Sequence, residues 1–550
     1  MPTSWYQAIP HILSQVKGLN PKSILDIGIG FGKYGLLFRD LLEIPFERYN
    51  KQDWQIKIDG VEVFKDYHNP IYDFTYDNVY FGDILQTIDT LANYDCIILI
   101  DVLEHFTKED GLRLITKLLL HCNKGVIVST PFYPDHQIEY LGNQYEQHKS
   151  IWSIVDFQHF NFNYERIPIE QNGAHLFIFK PNATYKKFPW EVITCNSFIE
   201  KKPLAIAYLL PHKNLTGGMK MLLEQMKHLK TRGHKIIAYL KDYNDTQSVL
   251  PEWFDLAVDE ETLVPLNESF LKYIANCDVI IAGWITQLIE LKDSKTPVIY
   301  WEQGNEWLFG DISEKININT INKTLEQCYL SNHALLSVSP YVANTIYSRF
   351  GRKTPILSNR IDTSFYCPGE KSNTNKILLI GSPYLPFKGF DIAFKALRLV
   401  WAAGYTFHVE WVCQTMPNIP DTPFKISMII QPTQKKLVQC YQSADIHLFT
   451  SWYEGFGMPP LEAMACETAV VCTKCGGVDS FVKNEYNALT SEVGDISALA
   501  VNIILLLKFP QLRQTLSKNG RKTANELDYS HMILELEAYL YAIVHAKLVH

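Results

Sequence analysis

Residues Thr450–Gly477 read TSWYEGFGMPPLEAMACETAVVCTKCGG. The glycine-rich turn EGFG leads through Met458-Pro459-Pro460 into a helix expected to begin near Leu461, and the two prolines stiffen its first turn. Such a turn offers backbone N–H groups to a phosphate. Glu454 and Glu462 have seven residues between them, and Glu462 is expected at the helix start, within reach of a nucleoside. Upstream, Lys376–Leu397 (KILLIGSPYLPFKGFDIAFKAL) runs strand, turn and helix and brings the cation of Lys388 to the same crevice. Strand–turn–helix units of this kind predict an α/β architecture with parallel sheets.

The pattern extends outward over nearly all 550 residues. Short apolar β-type runs alternate with segments of helical period, as in βαβ units. This length predicts about three or four units at roughly 100–200 residues each. In the first third the strand candidates are SILDIG, KIDGVEV, NVYFGD, YDCIILIDV, KGVIVSTP and HLFIFK, which make one doubly wound sheet in a domain spanning 1–180. Residues 181–202 have turn residues, scattered aromatics and no clear period, so a linker is expected there. A second βα series (PLAIAYLL, HKIIAYL, DVIIAGW, TPVIYWEQ, LLSVSP) occupies 203–366. The turn-rich PGEKSNTNK separates it from a third, 367–550, which closes with an amphipathic helix.

Composition narrows the function classes. At 47% hydrophobic and 20% charged residues, the chain can bury real cores and lacks the profile of disorder. Its net charge of −8 gives no electrostatic footprint for nucleic acid or an anionic membrane, so small or neutral substrates fit better. Neither a signal peptide nor a span-length apolar run is evident, and a cytoplasmic location is expected. The eleven cysteines are scattered. Cys472 and Cys475 have no second pair at zinc spacing, and reduced thiols are expected throughout.

At the other end of the chain, Ser23–Gly35 (SILDIGIGFGKYG) again places an apolar strand, a glycine turn and a helix, here with Tyr34, Leu37, Phe38 and Leu41 on one face. Gly28, Gly30 and Gly32 allow backbone to approach a ligand. The spacing is GxGxG with Asp26 two residues ahead, whereas NAD-binding turns use GxGxxG. Three more carboxylates stand where strands should end: Glu62, Asp83 and Asp101. Ligands of open α/β sheets lie at those ends, although any one of these residues could instead cap a helix or end a loop.

Taken together, DIGIGFG, VEVF, FGDI and IDVLEHF resemble the successive motifs of class I S-adenosylmethionine-dependent methyltransferases, over about Pro21 to Lys180. The resemblance implies that Asp26, Gly28, Gly30 and Gly32 hold the cofactor's methionine end, that Glu62 bonds the ribose hydroxyls, that Asp83 and Ile84 flank the adenine, and that Asp101 lines the same crevice. A hydroxyl acceptor needs a group to take its proton. His148, in the polar and aromatic stretch Asn143–Phe157, is the favoured catalytic candidate and His105 the alternative; either could instead be a structural hydrogen-bonding residue, His105 more readily than His148.

The C-terminal segments resemble the retaining GT-B glycosyltransferases of family 4, over about Pro203 to His550. Leu210–Ile236 matches that family's first-lobe glycine loop, with Gly217 and Gly218 facing the donor phosphates. Ser337–Gly351 and Ser358–Pro368 match the end of the first lobe and the start of the crossover. By this resemblance, Lys388 neutralises the departing diphosphate of a nucleotide-sugar donor. Glu454, Gly455, Phe456 and Gly457 position sugar and phosphates, and Glu462 bonds the ribose. A fixed cation and aimed amides suit a leaving diphosphate, and no DxD-type signature argues for a metal, so none is expected. Two departures stand out: Ser382 and Pro383 occupy the place of a usual Arg, and Arg360 replaces a crossover glycine. Arg360 either supplies the missing charge or is a surface arginine. Trp301–Asp311 (WEQGNEWLFGD), with Gln303 and Asn305, is either a carbohydrate-acceptor patch or an aromatic core cluster.

The expected protein is therefore a bifunctional glycan-assembly enzyme. It transfers a hexose to a glycan or glycoconjugate acceptor through its GT-B lobes and methylates a sugar hydroxyl through its N-terminal domain. The alternative is a glycosyltransferase whose first domain binds S-adenosylmethionine, or docks a partner, without catalysis.

Overall fold

The strand β1 (Ser23–Ile27) is buried along all but its first residue, as a parallel strand covered on both faces must be. In the computed structural model it pairs in parallel with β2 (Lys57–Glu62) on one side and β4 (Tyr94–Ile100) on the other. Beyond these lie β3 (Asn78–Phe81), parallel to β2, and β5 (Cys122–Pro131), parallel to β4. An antiparallel pair, β6 (Asn161–Ile169) and β7 (Asn172–Lys180), completes the sheet in the order β3-β2-β1-β4-β5-β7-β6. Ile24, Ile58, Ile98 and Ile127 form its core with Phe38 and with Ile12 and Val16. Strand order reverses at β1, so a crevice opens at the carboxyl ends of β1, β2 and β4, the position that open α/β sheets use for ligands.

The structure describes residues 5–134, 142–169, 172–188, 190–191, 202–214, 216–242, 248–312, 317–371, 374–419 and 421–546. It divides into two units. The first is Met1–Ala183 with Glu306–Lys315, and the second is Thr184–Asn305 with Ile316–His550. The expected linker, 181–202, lies partly outside the described residues. Its described residues divide between the units: Pro181–Ala183 belong to the first, where Asn182 Nδ2 donates to His159 O at 2.8 Å, and the residues from Thr184 onward belong to the second, where Lys186 N–H donates to Gly351 O at 3.0 Å and the Arg352 guanidinium lies over the Phe188 ring.

The second unit holds two six-stranded sheets, parallel throughout. One comprises β8 (Ala205–Leu210), β9 (Lys235–Asp242), β10 (Glu260–Pro265), β11 (Val279–Ala282), β12 (Val298–Glu302) and β13 (Ala334–Ser337), ordered β10-β9-β8-β11-β12-β13. The other comprises β14 (Lys376–Ile380), β15 (His408–Cys413), β16 (Lys425–Ile430), β17 (Ile446–Phe449), β18 (Ala469–Thr473) and β19 (Leu489–Ser491), ordered β16-β15-β14-β17-β18-β19. Each reverses beside its first strand, giving two Rossmann-like lobes. Among the described residues no single helix is long and apolar enough to cross a membrane.

The units are not consecutive blocks of sequence. Asp311 bridges to Tyr164 of β6 within the first unit. Gly310, at φ +85°, approaches so closely that a Cβ there would stand 3.2 Å from the Tyr164 nitrogen. The stretch Trp301–Asp311 is consequently divided, Trp301–Asn305 lying in the second unit and the remainder in the first. Trp301, Leu308 and Phe309 are buried, and Trp301 Nε1 donates to Leu357 O at 2.9 Å, an environment that favours the core reading of these aromatics.

Candidate functional sites

In the first unit the turn after β1 places Gly28 and Gly30 on the wall of a cavity of about 520 Å³, which Glu62, Asp83, Ile84, Asp101, His105 and His148 also line. Glu62 is anchored there by backbone donors: Gly30 N–H at 3.0 Å to one oxygen and Phe64 N–H at 2.9 Å to the other. Burial raises its carboxyl above the usual range against the pull of those N–H groups. Asp83 caps the short turn after β3, its Oδ1 accepting from Leu85 N–H at 2.9 Å. Asp101 takes a left-handed φ of +55°. Its carboxyl is pushed up to about 6 by burial, opposed by the Ser129 hydroxyl and by the charge of Lys33.

Two of the residues expected at the cofactor do not line the cavity. Gly32, at φ +81°, is the N-cap of the helix Lys33–Leu42. Asp26 is buried behind the turn and accepts from the Tyr76 hydroxyl at 2.6 Å, while the Tyr76 oxygen accepts from Gly35 N–H at 3.2 Å. It fastens the glycine turn to its neighbours. Burial, outweighing the Tyr76 bond, pushes its carboxyl up to about 7. A carboxyl whose folded pKa exceeds its unfolded value takes up a proton on folding, so its contribution makes stability fall as pH rises from about 4 to 7. Asp26→Asn is expected to flatten that decline. Urea unfolding across this pH range checks it, and an unchanged slope would contradict the assignment.

At the far end of the cavity, the turn Leu103–His105 meets the segment carrying His148. Lys149 N–H and Ser150 N–H donate to Glu104 O at 2.8 and 3.2 Å, the Ser150 hydroxyl to Phe106 O at 2.7 Å, and Trp152 Nε1 to Leu103 O at 3.0 Å. The His105 and His148 ring centroids are 5.0 Å apart. Burial and the neighbouring His148 push His105 down to about 4. Burial, with Asp101 nearby, drives the Glu104 carboxyl well above its ordinary range, partly opposed by Thr130. Sequence reasoning passed over Lys33, Glu104, Tyr67 and Glu146, all of which line this cavity. Glu104 was visible beside His105 in IDVLEHF; Tyr67 and Glu146, joined by a 3.0 Å hydrogen bond, are too far apart in sequence to signal each other.

In the second unit the residues around the EGFG turn converge. Lys388 Nζ donates to Glu454 Oε1 at 2.7 Å, and the Ser451 hydroxyl donates to the same oxygen at 2.8 Å. Gly389, at φ +65°, follows the lysine because a Cβ there would stand 2.1 Å from Thr450 O. Gly457, at φ +88°, is the N-cap of the helix Met458–Ala465. Gly455 O accepts from the Ser339 hydroxyl at 2.6 Å. Phe456 is buried against Phe481, their rings stacked at 5.1 Å, so its side chain packs in the core of its lobe. Gly217 and Gly218 open the helix Gly217–Thr231, and Gly218 O accepts from Gln303 Nε2 at 3.3 Å.

Glu462 occupies a more enclosed place than a helix-start residue free to meet a nucleoside. It is buried, accepting from Lys220 Nζ at 2.7 Å and from the Tyr441 hydroxyl at 2.8 Å. Lys220 comes from the first lobe's glycine-started helix and also meets the Tyr366 hydroxyl at 2.5 Å. Arg360 donates to Glu526 O at 3.0 Å and lies 3.8 Å from Glu535; these partners tie the connecting loop to the C-terminal helices. Cys472 and Cys475 are buried and form no disulfide.

Residues 425–523 match the family model described as glycosyl transferases group 1. The C-terminal part of the chain thus carries a glycosyltransferase group 1 domain, and the two parallel sheets of the second unit form a GT-B-type α/β fold. Among curated proteins, an uncharacterized glycosyltransferase of Methanocaldococcus jannaschii is 22% identical over 205 residues, 36% of this chain and 57% of that one. The MMP alpha-(1->4)-mannosyltransferase of Mycolicibacterium hassiacum is 27% identical over 205 residues, 35% of this chain and 50% of that one. The chain spans about half the length of these relatives. Among solved structures, sucrose-phosphate synthase from Thermosynechococcus elongatus has a TM-score of 0.51 at 18% identity, covering 62% of this chain and all of that one.

Proposed function

We propose that the chain is a bifunctional glycan-assembly enzyme: the second unit transfers a sugar from a nucleotide-sugar donor to a glycan acceptor, with retention, and the first methylates a sugar hydroxyl using S-adenosylmethionine. The observation that carries the first half is the Lys388–Glu454 pair beside the EGFG turn, inside a fold whose C-terminal part matches a glycosyltransferase model. Cleavage of a glycosyl–phosphate bond puts negative charge on the leaving diphosphate, and a fixed cation beside backbone N–H groups stabilises that charge as it develops. Glu454 holds Lys388 in position until the diphosphate competes for it. The solved HepE of Anabaena, with a TM-score of 0.50 and 16% identity over 60% of this chain and 98% of that one, is described in complex with UDP and glucose, which agrees with a nucleotide-sugar donor here.

The methyl-transfer half is carried by the cavity at the strand ends. Its donor set fits S-adenosylmethionine: two carboxylates, Glu62 and Asp83, for ribose hydroxyls and adenine, a glycine turn for close backbone approach, and Asp101 opposite Lys33. When bound, the cofactor supplies an electrophilic methyl group. This chain's residues orient it and take up the acceptor at the His105–His148 end, where the acceptor hydroxyl must lose its proton. Because Glu62 is expected to bond both ribose hydroxyls, Glu62→Ala should remove charge-assisted bonds of about 1.5–3 kcal/mol each. S-adenosylmethionine affinity, measured by calorimetry on the folded variant, should fall at least about tenfold; unchanged affinity would sink this placement.

A further inference from the structure

We propose that Glu104, His105 and His148 bind a divalent first-row transition-metal ion at the acceptor end of the first unit's cavity. One ligand atom from each of the three lies within 4.8 Å of the others. A tetrahedral ion at the usual bond lengths of about 2.0–2.2 Å needs donors about 3.4 Å apart, so side-chain movements of about an ångström close the set.

Three further observations point to a cation. Glu104 is 2% exposed, and its Oε2 has no hydrogen-bond partner among the described residues. A carboxyl buried in this way ionises only where a positive charge compensates it, and a metal ion is such a charge. His105 Nδ1 lies 3.2 Å from Gln147 O. A proton on Nδ1 donates to that carbonyl and leaves the Nε2 lone pair for a metal, the usual way a ligating histidine is oriented. The segment that presents His148 is pinned to the Glu104 turn by the four hydrogen bonds described above, so the donors are pre-positioned.

Two imidazoles and one carboxylate suit zinc, iron, cobalt or nickel better than calcium or magnesium. Three protein donors leave a coordination position facing the cavity, and Glu146, 4.0 Å from His105 Nε2, stands beside it. The role of the ion rests on the methyl-transfer reading. An acceptor hydroxyl bound at the open position is acidified: its O–H bond breaks, the electron pair stays on oxygen, and the proton passes to water. The histidines then serve as ligands, and neither has to act as the base.

The test uses the untagged full chain, stripped of metal, with zinc chloride in calorimetry and cobalt chloride in absorption spectroscopy, without cofactor or acceptor. One equivalent should bind, with a visible cobalt band. His105→Gln and His148→Gln should each weaken binding at least about tenfold, and the double variant should lose the band while keeping the wild-type unfolding profile without metal. Where one variant misfolds, the other decides. Absence of one-equivalent binding, or wild-type affinity in a folded histidine variant, would overturn the proposal. One-equivalent metal binding by a chain that in a parallel titration binds no S-adenosylmethionine would instead remove the methyl-transfer reading and leave the metal site standing.

Discussion

Lys388→Ala is expected to lower sugar transfer at least about a hundredfold, the scale seen when one preorganised electrostatic donor is removed. In the proposed mechanism the charge that Lys388 meets develops on the leaving diphosphate, so the loss is expected in turnover. Folding should change less than on breaking the more deeply buried Lys220–Glu462 pair. The lysine side chain is 18% exposed and Glu454 13%, and in the variant Glu454 keeps its hydrogen bond from Ser451. Donor turnover and thermal unfolding on one preparation check both statements; near-normal transfer would remove the central residue of the mechanism.

Lys220→Ala is expected to destabilise the second unit by about 3–5 kcal/mol, because removing one member of a buried ion pair leaves the other charge uncompensated. The two side chains are 11% and 7% exposed, and Glu462 would be left with neutral hydroxyl partners, Tyr441 among them, and no cation. Replacing both, Lys220→Met with Glu462→Gln, should recover most of the loss, since both charges are then gone. Calorimetric unfolding of the three variants measures this. A single-variant loss below about 1 kcal/mol would mean the pair behaves like an exposed one.

The sequence carried the strand pattern well because parallel strands buried on both faces read as unbroken apolar runs. All six runs anticipated in the first third are strands. β6 escaped because NFNYERIPI mixes Asn, Glu and Arg among its apolar residues. Glu306–Lys315 was illegible for a different reason: its attachment to the first unit depends on a close approach at Gly310, a contact between segments roughly 150 residues apart that no local pattern encodes.

The site residues divide in the same way. Lys388, Glu454 and the cavity-lining Gly28, Gly30, Glu62 and Asp83 sit in local motifs, where strand, turn and helix follow within a dozen residues. Asp26 lies in such a motif too, yet its burial against Tyr76 turns it from a ligand candidate into a support. Glu462 is the counterpart in the second unit. Its partners Lys220 and Tyr441 come from other elements, and burial in that company is a tertiary property.

The most direct measurement is a crossed comparison of Lys388→Ala and Glu62→Ala, each assayed for donor turnover and for S-adenosylmethionine affinity. The account predicts that Lys388→Ala loses sugar transfer and binds the cofactor normally, while Glu62→Ala loses cofactor affinity and transfers sugar normally. Sugar transfer undiminished in Lys388→Ala, or both properties lost together in either variant, would contradict it.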